Sequence, residues 1–353
     1  MTAGARPVVV WICLEWPHDE HSGGVARYAY RLAEEVAPLV DLTIITETGG
    51  TPVKGARMIH LPRANGRMDR YYAQAVRLRR TILTVPNIDV VHAFGDDWAL
   101  PRGSWKLVRH FLGLSLSEAR SSRGLRKLNH YVLAGLEKLS EKRADHRIAI
   151  GPESFDAFHC DTLMPPVTAV SPTGTPKTPE PSVVFIGSHG GRKRGALVEQ
   201  VVDRARAAGI EGLTLRVFGP TDDAKNWPAG TLHRSGADDA EVHAAIESAW
   251  ALLSPSSYEG FGIPIYEALA LGTAVIATPN PGSTYQAGLV GNADAMMLGD
   301  SVDQLTLALT ERVSRGPHLS PAASAAGGKA VAGMVEQASA EALVTSIYGR
   351  LRG

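Results

Sequence analysis

The sequence predicts an α/β protein built from two Rossmann-like, doubly wound domains. Apolar runs of strand length alternate with amphipathic helical segments along most of the 353 residues, a pattern typical of parallel sheets that are covered by helices on both faces. A chain of 353 residues is also long for one domain and comfortable for two. The alternation is interrupted once, near the middle, where prolines cluster. These observations together predict two α/β halves with a boundary at that interruption.

The first half alternates from its beginning. The run 8–14 is continuously apolar, as expected of a strand buried on both faces, and the helix after it has apolar residues along one face from Val25 to Val36. Further strands are predicted at 42–45, 58–61, 89–94, 106–111 and 147–150. Two more helices are predicted at 69–83 and 123–144, the second with its inward face formed by Leu125, Leu128, Val132, Leu136 and Leu139.

The proline cluster predicts the domain boundary. Residues 165–181 contain six of the chain's 22 prolines, set among Thr, Ser and Gly, a composition that does not form a packed element. We therefore expect a first domain over residues 1–165, a linker over 166–181 and a second domain over 182–334. Residues 335–353 are expected to form a C-terminal helix that packs back on the first domain.

The second half repeats the alternation. Strands are predicted at 183–187, 213–219, 250–253 and 274–277, and helices at 196–208 and 240–249. Asp238 and Glu241 resemble a capping box at the start of the second of these helices. The Gly/Ala-rich segment 322–333 is expected to precede a last helix over 335–351.

Composition excludes several classes of function. The formal net charge is zero and the sequence pI is about 7.2, which argues against a nucleic-acid binder. Cys13 and Cys160 are the two cysteines, too few for a disulfide framework or a cysteine metal site. No apolar run reaches the roughly 20 residues of a membrane span, and the N-terminal apolar run lacks the features of a signal peptide. We therefore expect a cytoplasmic protein.

The stretch 253–272 carries the strongest functional signal. An apolar run ends in a Ser/Pro turn, Glu259 follows, and Gly260 and Gly262 come next. Pro264 suits the first position of a new helix, on which Glu267 leans back toward the helix N-terminus. The residues thus predict two carboxylates at one strand-to-helix turn, where glycine allows a close approach to the backbone and helix N–H groups can bind an anion.

These residues resemble a known family. The motif from Ser254 to Gly272 resembles the E-x(7)-E signature of retaining glycosyltransferases with the GT-B fold, most closely family 4. Other segments agree in order along the chain. They are the N-terminal glycine loop at 22–25, the strand that ends in the active-site histidine at 106–110, the segment that closes the first domain at 136–150, and the phosphate loop at 185–193.

The resemblance implies the chemistry. It implies two Rossmann-like domains that face each other across a cleft, with a UDP- or GDP-type nucleotide-sugar held mainly by the second domain. The sugar would pass to an acceptor hydroxyl with its anomeric configuration retained, without a metal or another cofactor. The acceptor, a small molecule, a glycan or a lipid-linked sugar, would bind mainly to the first domain.

The resemblance also assigns roles to residues. Glu267 would bind the ribose hydroxyls, Glu259 the donor sugar, and Lys193 the departing diphosphate, whose growing negative charge needs a fixed cation. His110 would form hydrogen bonds in the active site. Backbone groups near the diphosphate and the sugar would come from Gly23, Gly24, Gly187, Gly260, Phe261 and Gly262. Each residue also has a structural alternative, such as helix-dipole stabilisation for the glutamates or an interior position for the histidine.

Three departures from the family pattern keep alternatives open. Ser188 stands where the family usually has arginine, so Arg192 or Arg194 is expected to replace it. Phe94 stands where a second histidine is frequent, and the family's later glutamate is absent near Gly282. The competing hypotheses are a non-catalytic nucleotide-sugar-binding subunit and another GT-B enzyme, such as a sugar-nucleotide epimerase or a phosphosugar synthase.

Basic residues of the first half suggest a further partner. They form two groups on predicted helices, where they would be either a solvated face or a peripheral contact with the anionic inner face of a membrane. The residues are Arg77, Arg79, Arg80, Arg120, Arg123, Arg126 and Lys127.

Overall fold

The computed structural model describes residues 6–17, 24–47, 50–66, 68–121, 124–167 and 169–352. The chain divides into two compact units. The N-terminal unit comprises Met1–Thr168 and Glu336–Gly353, and the C-terminal unit comprises Ala169–Val335.

A seven-stranded parallel sheet forms the centre of the N-terminal unit, in the order β3-β2-β1-β4-β5-β6-β7. Its strands are buried apolar segments, and β1 and β4 at the centre are almost completely shielded from solvent because helices cover both faces of a doubly wound sheet. The strands are β1 Val8–Ile12, β2 Asp41–Glu47, β3 Arg57–Leu61, β4 Val90–Ala93, β5 Lys106–Phe111, β6 His146–Ala149 and β7 Thr162–Leu163. The helices are α1 Gly24–Val36, α2 Gln74–Ile82, α3 Ser115–Ser121, α4 Gly124–Arg143 and α5 Pro152–Ala157.

The C-terminal unit contains a six-stranded parallel sheet in the order β10-β9-β8-β11-β12-β13. The strands are β8 Ser182–Ile186, β9 Thr214–Phe218, β10 Leu232–Arg234, β11 Ala251–Ser254, β12 Ala274–Ala277 and β13 Met296–Leu298. The helices are α6 Gly195–Ala207, α7 Asp239–Ser248, α8 Ile263–Ala270, α9 Pro281–Val290, α10 Val302–Ser314 and α11 Pro321–Gln337. Val183, Leu215, Leu253 and Ile276 form the sheet side of a core that α6 and α10 complete.

The predicted inward face of α4 is wrong at three positions. Leu128, Val132 and Leu139 are 62%, 46% and 42% exposed. Tyr131 on the same helix is 45% exposed. The prediction failed because helical periodicity locates an apolar stripe but does not say what covers it; here the stripe lies on the surface.

Two helix predictions near the C-terminus are also wrong. The Gly/Ala-rich segment is part of α11, because alanine is the best helix former and compensates for the glycines. The predicted last helix is divided by a break at Ala338 and Ser339, where the Ser339 side chain accepts a hydrogen bond from Ala342 N. The segment beyond the break comprises Ala340–Ala342, a π-type turn at Leu343–Tyr348, and Gly349–Arg352.

The predicted capping box is half present. Asp238 accepts a hydrogen bond from Glu241 N at 2.8 Å, as an N-cap residue does. The Glu241 carboxylate does not return the bond but pairs with Arg234 Nε at 2.8 Å.

The proline-rich segment is bonded to the C-terminal unit along much of its length. Lys177 Nζ donates to Ala249 O at 2.6 Å and to Thr273 Oγ1 at 2.8 Å, and burial lowers the pKa of this amine to about 8. Trp250 Nε1 donates to Thr178 O at 2.8 Å. The described part of 165–181 thus contains neither helix nor strand, but its second half is a fixed edge of the C-terminal unit.

Candidate active site

Two loops meet at the carboxyl-terminal edge of the C-terminal sheet. The basic loop, residues 187–194, follows β8, and the Glu259 loop, residues 255–262, follows β11. These strands are parallel neighbours, so their ends lie at the same edge of the sheet, which is where α/β proteins bind ligands. Ser257 N donates to Arg192 O at 2.8 Å and ties the loops together.

Glu259 is the buried anion of this edge. It is 7% exposed, and both of its oxygens are occupied by cations of the basic loop. Arg192 Nη1 lies 2.8 Å from Oε2, and Lys193 Nζ lies 2.6 Å from Oε1. Burial opposes ionisation of Glu259, but the charges of Lys193 and Arg192 outweigh it and lower the pKa. The structure therefore brings together three of the predicted site residues.

Gly187 sets the path of the Lys193 side chain. A Cβ atom at position 187 would lie 2.8 Å from Lys193 Cγ and 2.9 Å from Lys193 Cβ, closer than packed carbons approach. Glycine at this position therefore lets the lysine stem cross the end of β8 and reach Glu259.

Arg192 and Arg194, the two candidates to replace the arginine that the family usually has at position 188, both lie in the basic loop. Their side chains have different partners. Arg192 pairs with Glu259 and also donates to Tyr258 O at 2.9 Å. Arg194 instead braces the scaffold, since its guanidinium donates to Pro255 O at 2.5 Å and to Thr278 Oγ1 at 2.9 Å. The Ser188 hydroxyl donates to Gly190 O at 3.0 Å, a contact within its own loop.

The Glu259 loop leads directly into α8. Gly262 precedes the helix with a φ of +89°, a left-handed conformation that favours glycine, and Pro264 lies in the first turn. Phe261 is 2% exposed and its side chain is buried. Of this residue, only the backbone can therefore face a ligand. Glu267, one turn into α8, is 8% exposed, and its Oε1 lies 3.3 Å from His243 Nε2 of α7.

Residues of helix α9 form hydrogen bonds with the 259–262 segment. The sequence alone did not predict these contacts. Gln286, fully buried, donates from Nε2 to Phe261 O at 2.7 Å and to Gly262 O at 3.2 Å. Gly282 N donates to Glu259 O at 2.9 Å, and a Cβ at position 282 would overlap the Phe261 carbonyl. The contacts of Gly282 and Gln286 with the motif follow from folding, since these residues lie beyond its end at Gly272.

The remaining predicted site residues belong to the N-terminal unit. Gly24 is the first residue of α1, and Gly23 lies outside the described residues. His110, on β5, is fully buried, with its Nδ1 3.2 Å from His92 Nε2 on the neighbouring strand β4. Burial and, to a lesser extent, the charge of nearby Arg109 lower the pKa of His110 to about 3, so the imidazole is neutral at pH 7.

A cavity of about 270 Å³ lies at the strand ends of the N-terminal unit, here called the N-terminal cavity. Its lining carries four carboxyl groups and two guanidinium groups. Arg109 Nε lies 3.3 Å from Asp97 Oδ1, and Arg70 Nη1 lies 3.0 Å from Asp96 Oδ2. Asp97 Oδ2 and Trp98 Nε1 are buried and have no hydrogen-bond partner among the described residues. The charged lining residues are Glu15, Arg70, Asp96, Asp97, Arg109 and Glu137.

The chain matches two family models in succession. The model "Glycosyltransferase Family 4" matches residues 22–174, and the model "Glycosyl transferases group 1" matches residues 176–292. A comparison with curated protein sequences finds no match. The two models therefore account for most of the chain and divide it inside the proline-rich segment.

Solved structures confirm the predicted fold. Sucrose-phosphate synthase from Thermosynechococcus elongatus is 17% identical, with a TM-score of 0.73 and 98% of both chains covered. WaaG, a glycosyltransferase involved in lipopolysaccharide biosynthesis, is 18% identical, with a TM-score of 0.71, covering 98% of this chain and all of WaaG. An α,α-trehalose-phosphate synthase (UDP-forming) from Burkholderia xenovorans, in complex with glucose-6-phosphate, is 10% identical, with a TM-score of 0.70 and coverage of 98% and 100%. These likenesses show the GT-B fold.

Proposed function

The chain belongs to the GT-B-fold glycosyltransferases of the family 4 type, and from this premise we propose that it is a retaining enzyme which uses a UDP- or GDP-sugar. The sugar passes to an acceptor hydroxyl, and the protein supplies orientation and charge stabilisation without a metal. The observation that carries this proposal is the ion cluster of Glu259, Arg192 and Lys193 at the end of β8 and β11.

The cations of the ion cluster can bind the diphosphate of the donor and stabilise it as the leaving group. Breaking the bond between sugar and phosphate leaves negative charge on the β-phosphate, and a fixed cation lowers that barrier. Lys193 is a point charge for this task, and Arg192 can form two parallel hydrogen bonds to phosphate oxygens. Glu259 holds both cations in place before the ligand binds, so the site is organised in advance. With the diphosphate bound, the Glu259 carboxylate accepts hydrogen bonds from hydroxyls of the donor sugar.

The nucleoside lies over α8 in this proposal. Glu267 accepts hydrogen bonds from the ribose hydroxyls, with His243 holding its carboxylate. Backbone groups of Gly187 and of the 260–262 turn approach the diphosphate and the sugar, where the absence of a side chain at Gly187, Gly260 and Gly262 gives room.

Retention follows in the proposal from attack on the same face that the diphosphate leaves. The acceptor oxygen forms the new bond to the anomeric carbon, the bond to the β-phosphate oxygen breaks, and the acceptor's proton passes to that departing oxygen. This step needs no protein nucleophile, and Glu259 keeps its proposed role of binding the hydroxyls of the donor sugar.

The N-terminal cavity is the proposed acceptor subsite. Its 270 Å³ is below the roughly 300–1,000 Å³ of drug-sized pockets, which suits a single sugar-sized group at the end of a larger acceptor. Asp97 Oδ2 can accept from a hydroxyl, and Trp98 Nε1 can donate to one. Because carboxyl groups outnumber guanidinium groups four to two, we expect a neutral or cationic acceptor and not a phosphorylated one.

Helix α4 supports a peripheral membrane contact. Its exposed stripe of Leu128, Tyr131, Val132 and Leu139 is flanked by exposed Lys127, Lys138 and Lys142, the arrangement of a helix that lies on an anionic bilayer. Of the basic residues predicted to face a membrane, Arg123 lies outside the described residues, as do the side chains of Arg120 and Arg126. Among the described helices, none is both long and apolar enough to cross a membrane.

A transfer assay tests the proposed function. The full chain is incubated with individual UDP- and GDP-sugars and a set of sugar acceptors, and mass spectrometry detects the glycosylated acceptor while NMR reads its anomeric configuration. We expect release of the nucleoside diphosphate together with a product of the donor's configuration. An inverted product contradicts retention. Donor binding without transfer to any acceptor supports a nucleotide-sugar-binding subunit, and an altered sugar nucleotide without an acceptor supports an epimerase.

A further inference from the structure

A buried chain of hydrogen bonds connects the C-terminal segment to His110. Trp11 Nε1 lies 3.0 Å from Tyr348 Oη, Tyr348 Oη lies 2.5 Å from His92 Nδ1, and His92 Nε2 lies 3.2 Å from His110 Nδ1. All four side chains are fully buried. Trp11, His92 and His110 lie on the neighbouring strands β1, β4 and β5, whereas Tyr348 arrives from the opposite end of the sequence.

The indole donor and the cost of an unpaired hydroxyl proton together give the direction of the bonds in this chain. An indole N–H can only donate, so Tyr348 Oη accepts from Trp11. The remaining Tyr348 proton is then best directed at His92 Nδ1, because the opposite arrangement would leave a buried hydroxyl proton without an acceptor. His92 accepts at Nδ1 and therefore carries its proton on Nε2, which donates to His110 Nδ1.

Both imidazoles are neutral, so each ring has one donor nitrogen and one acceptor nitrogen. Burial lowers the pKa of His92 well below its ordinary value of 6.5, as do the neighbouring His110, His146 and Arg109. Burial and Arg109 also lower the pKa of His110. A neutral His110 that accepts at Nδ1 carries its proton on Nε2. That atom is buried and has no hydrogen-bond partner among the described residues.

We propose that Tyr348 and His92 are positioning residues that hold His110 in its Nε2–H tautomer, so that its ring offers a hydrogen-bond donor to an oxygen of the bound sugar. The identity of that oxygen rests on the proposed function; the tautomer does not. In this form His110 is a neutral donor and has no lone pair at Nε2 with which to act as a base. The aromatic neighbours hold the ring in place, since Phe94 stacks on His92 at 4.6 Å and lies 5.1 Å from His110.

The chain contains a matched control for Tyr348. Tyr28 is also a buried tyrosine, and its ring contacts His110 at 5.7 Å. Its hydroxyl has no hydrogen-bond partner among the described residues. Tyr348→Phe therefore removes a link of the chain, whereas Tyr28→Phe removes a neighbouring hydroxyl that is not part of it.

The test reads the histidine tautomers directly. Long-range proton–nitrogen NMR spectra of the full chain labelled with ¹⁵N-histidine, at pH 7.5 and without ligand, identify the protonated nitrogen of each ring, and His110→Gln and His92→Gln assign the signals. We expect wild type and Tyr28→Phe to show one His110 tautomer, protonated at Nε2. Tyr348→Phe should show a mixture, and its kcat should fall about tenfold, as for one lost hydrogen bond, with the KM for the donor little changed.

Two results would overturn the proposal. One is a wild-type His110 protonated at Nδ1 or a mixture of tautomers, which decides the matter even where Tyr348→Phe fails to fold. The other is a folded Tyr348→Phe with the wild-type tautomer. A wild-type chain that has the expected tautomer but transfers no sugar contradicts the proposed function and leaves the hydrogen-bond chain supported.

Discussion

Each unit has polar groups at the carboxyl-terminal edge of its own parallel sheet. The residues that form this edge are arranged differently in the two units. In the C-terminal unit the ion cluster joins two loops that follow adjacent strands, and its anion, Glu259, belongs to one continuous motif. In the N-terminal unit the cavity and the buried hydrogen-bond chain take residues from β1, β4, β5 and α4 and from Tyr348. The ion cluster has two cations around one carboxylate, whereas the lining of the N-terminal cavity has an excess of carboxyl groups.

The difference matches the two substrates of the proposed reaction. A nucleoside diphosphate has a constant chemistry, a ribose and two phosphates, which a short motif with fixed spacing can recognise. An acceptor varies from enzyme to enzyme, so its site is assembled from scattered positions.

The strongest test of the C-terminal edge removes its lysine. Lys193→Ala leaves the departing diphosphate without its point charge, and we expect kcat to fall about 100- to 1,000-fold, as when one stabilising donor of a developing anion is lost. Steady-state kinetics with a saturating donor measure this. The matched control is Lys225→Ala, an exposed lysine of the same unit, which should retain wild-type turnover. Equal turnover of the two variants would contradict a role of Lys193 in stabilising the leaving diphosphate.

Substitutions of two glycines in α9 test whether the Glu259 loop needs the close contact between Gly282 and Phe261. In Gly282→Ala the new Cβ overlaps the Phe261 carbonyl, so we expect a loss of about 1–3 kcal/mol in the free energy of unfolding and weaker donor binding. Gly288→Ala places its Cβ in open space on the same helix and should raise stability by about 0.5–1 kcal/mol. Thermal unfolding with and without nucleoside diphosphate measures both effects. Similar behaviour of the two variants would contradict the close approach at Gly282.

Acid should destabilise the N-terminal unit before the C-terminal one. The folded pKa of His110, about 3, lies below its ordinary 6.5, so the unfolded chain binds a proton that the folded chain does not. Stability therefore falls as the pH drops below 6.5, by about 2 kcal/mol at pH 5 for this group. The lowered pKa of Glu259 preserves its contribution above 4.5 and loses it only as the pH falls through the folded value.

Hydrogen exchange with mass spectrometry at pH 7 and pH 5, corrected for intrinsic rates, resolves the two sheets. We expect protection in β4 and β5 to fall while that in β8 and β11 changes little. Loss of protection in β8 and β11 first would contradict this assignment of pH sensitivity.

The smallest expected effect concerns the acceptor. Trp98→Phe keeps an aromatic ring, smaller than the indole, but removes an indole N–H that has no partner among the described residues. We expect the KM for the acceptor to rise about fivefold, as for one hydrogen bond, with the KM for the donor unchanged. Saturation curves for each substrate separate the two constants. A rise in the donor KM alone would contradict the proposal that the cavity binds the acceptor.

The sequence predicted the C-terminal unit better than the N-terminal one for a physical reason. The spacing of Glu259, Gly262, Pro264 and Glu267 is local, so turn and helix rules act on it directly. The two doubly wound sheets also follow from the alternation of strands and helices. The exposed stripe on α4 and the helical Gly/Ala-rich segment were mispredicted, because periodicity and composition do not say what packs against a surface.

Long-range partners lay beyond sequence reasoning. Gln286 and Gly282 support the motif, and Tyr348 bonds to His92 across 256 positions. No local pattern marks such residues, because what they contact is decided by the sheet order. The choice between Arg192 and Arg194 likewise required the structure, since two adjacent loops determine which guanidinium reaches Glu259.

The central claim is that the ion cluster of the C-terminal unit binds the diphosphate of the donor. Calorimetric titration of UDP, GDP and the corresponding nucleosides into the wild type and Lys193→Ala tests it most directly. We predict that one of the diphosphates binds the wild type at least about tenfold more tightly than its nucleoside, a difference of about 1.4 kcal/mol, and that Lys193→Ala loses most of this difference. Equal binding of nucleoside and diphosphate to the wild type, or an undiminished difference in Lys193→Ala, would contradict the account.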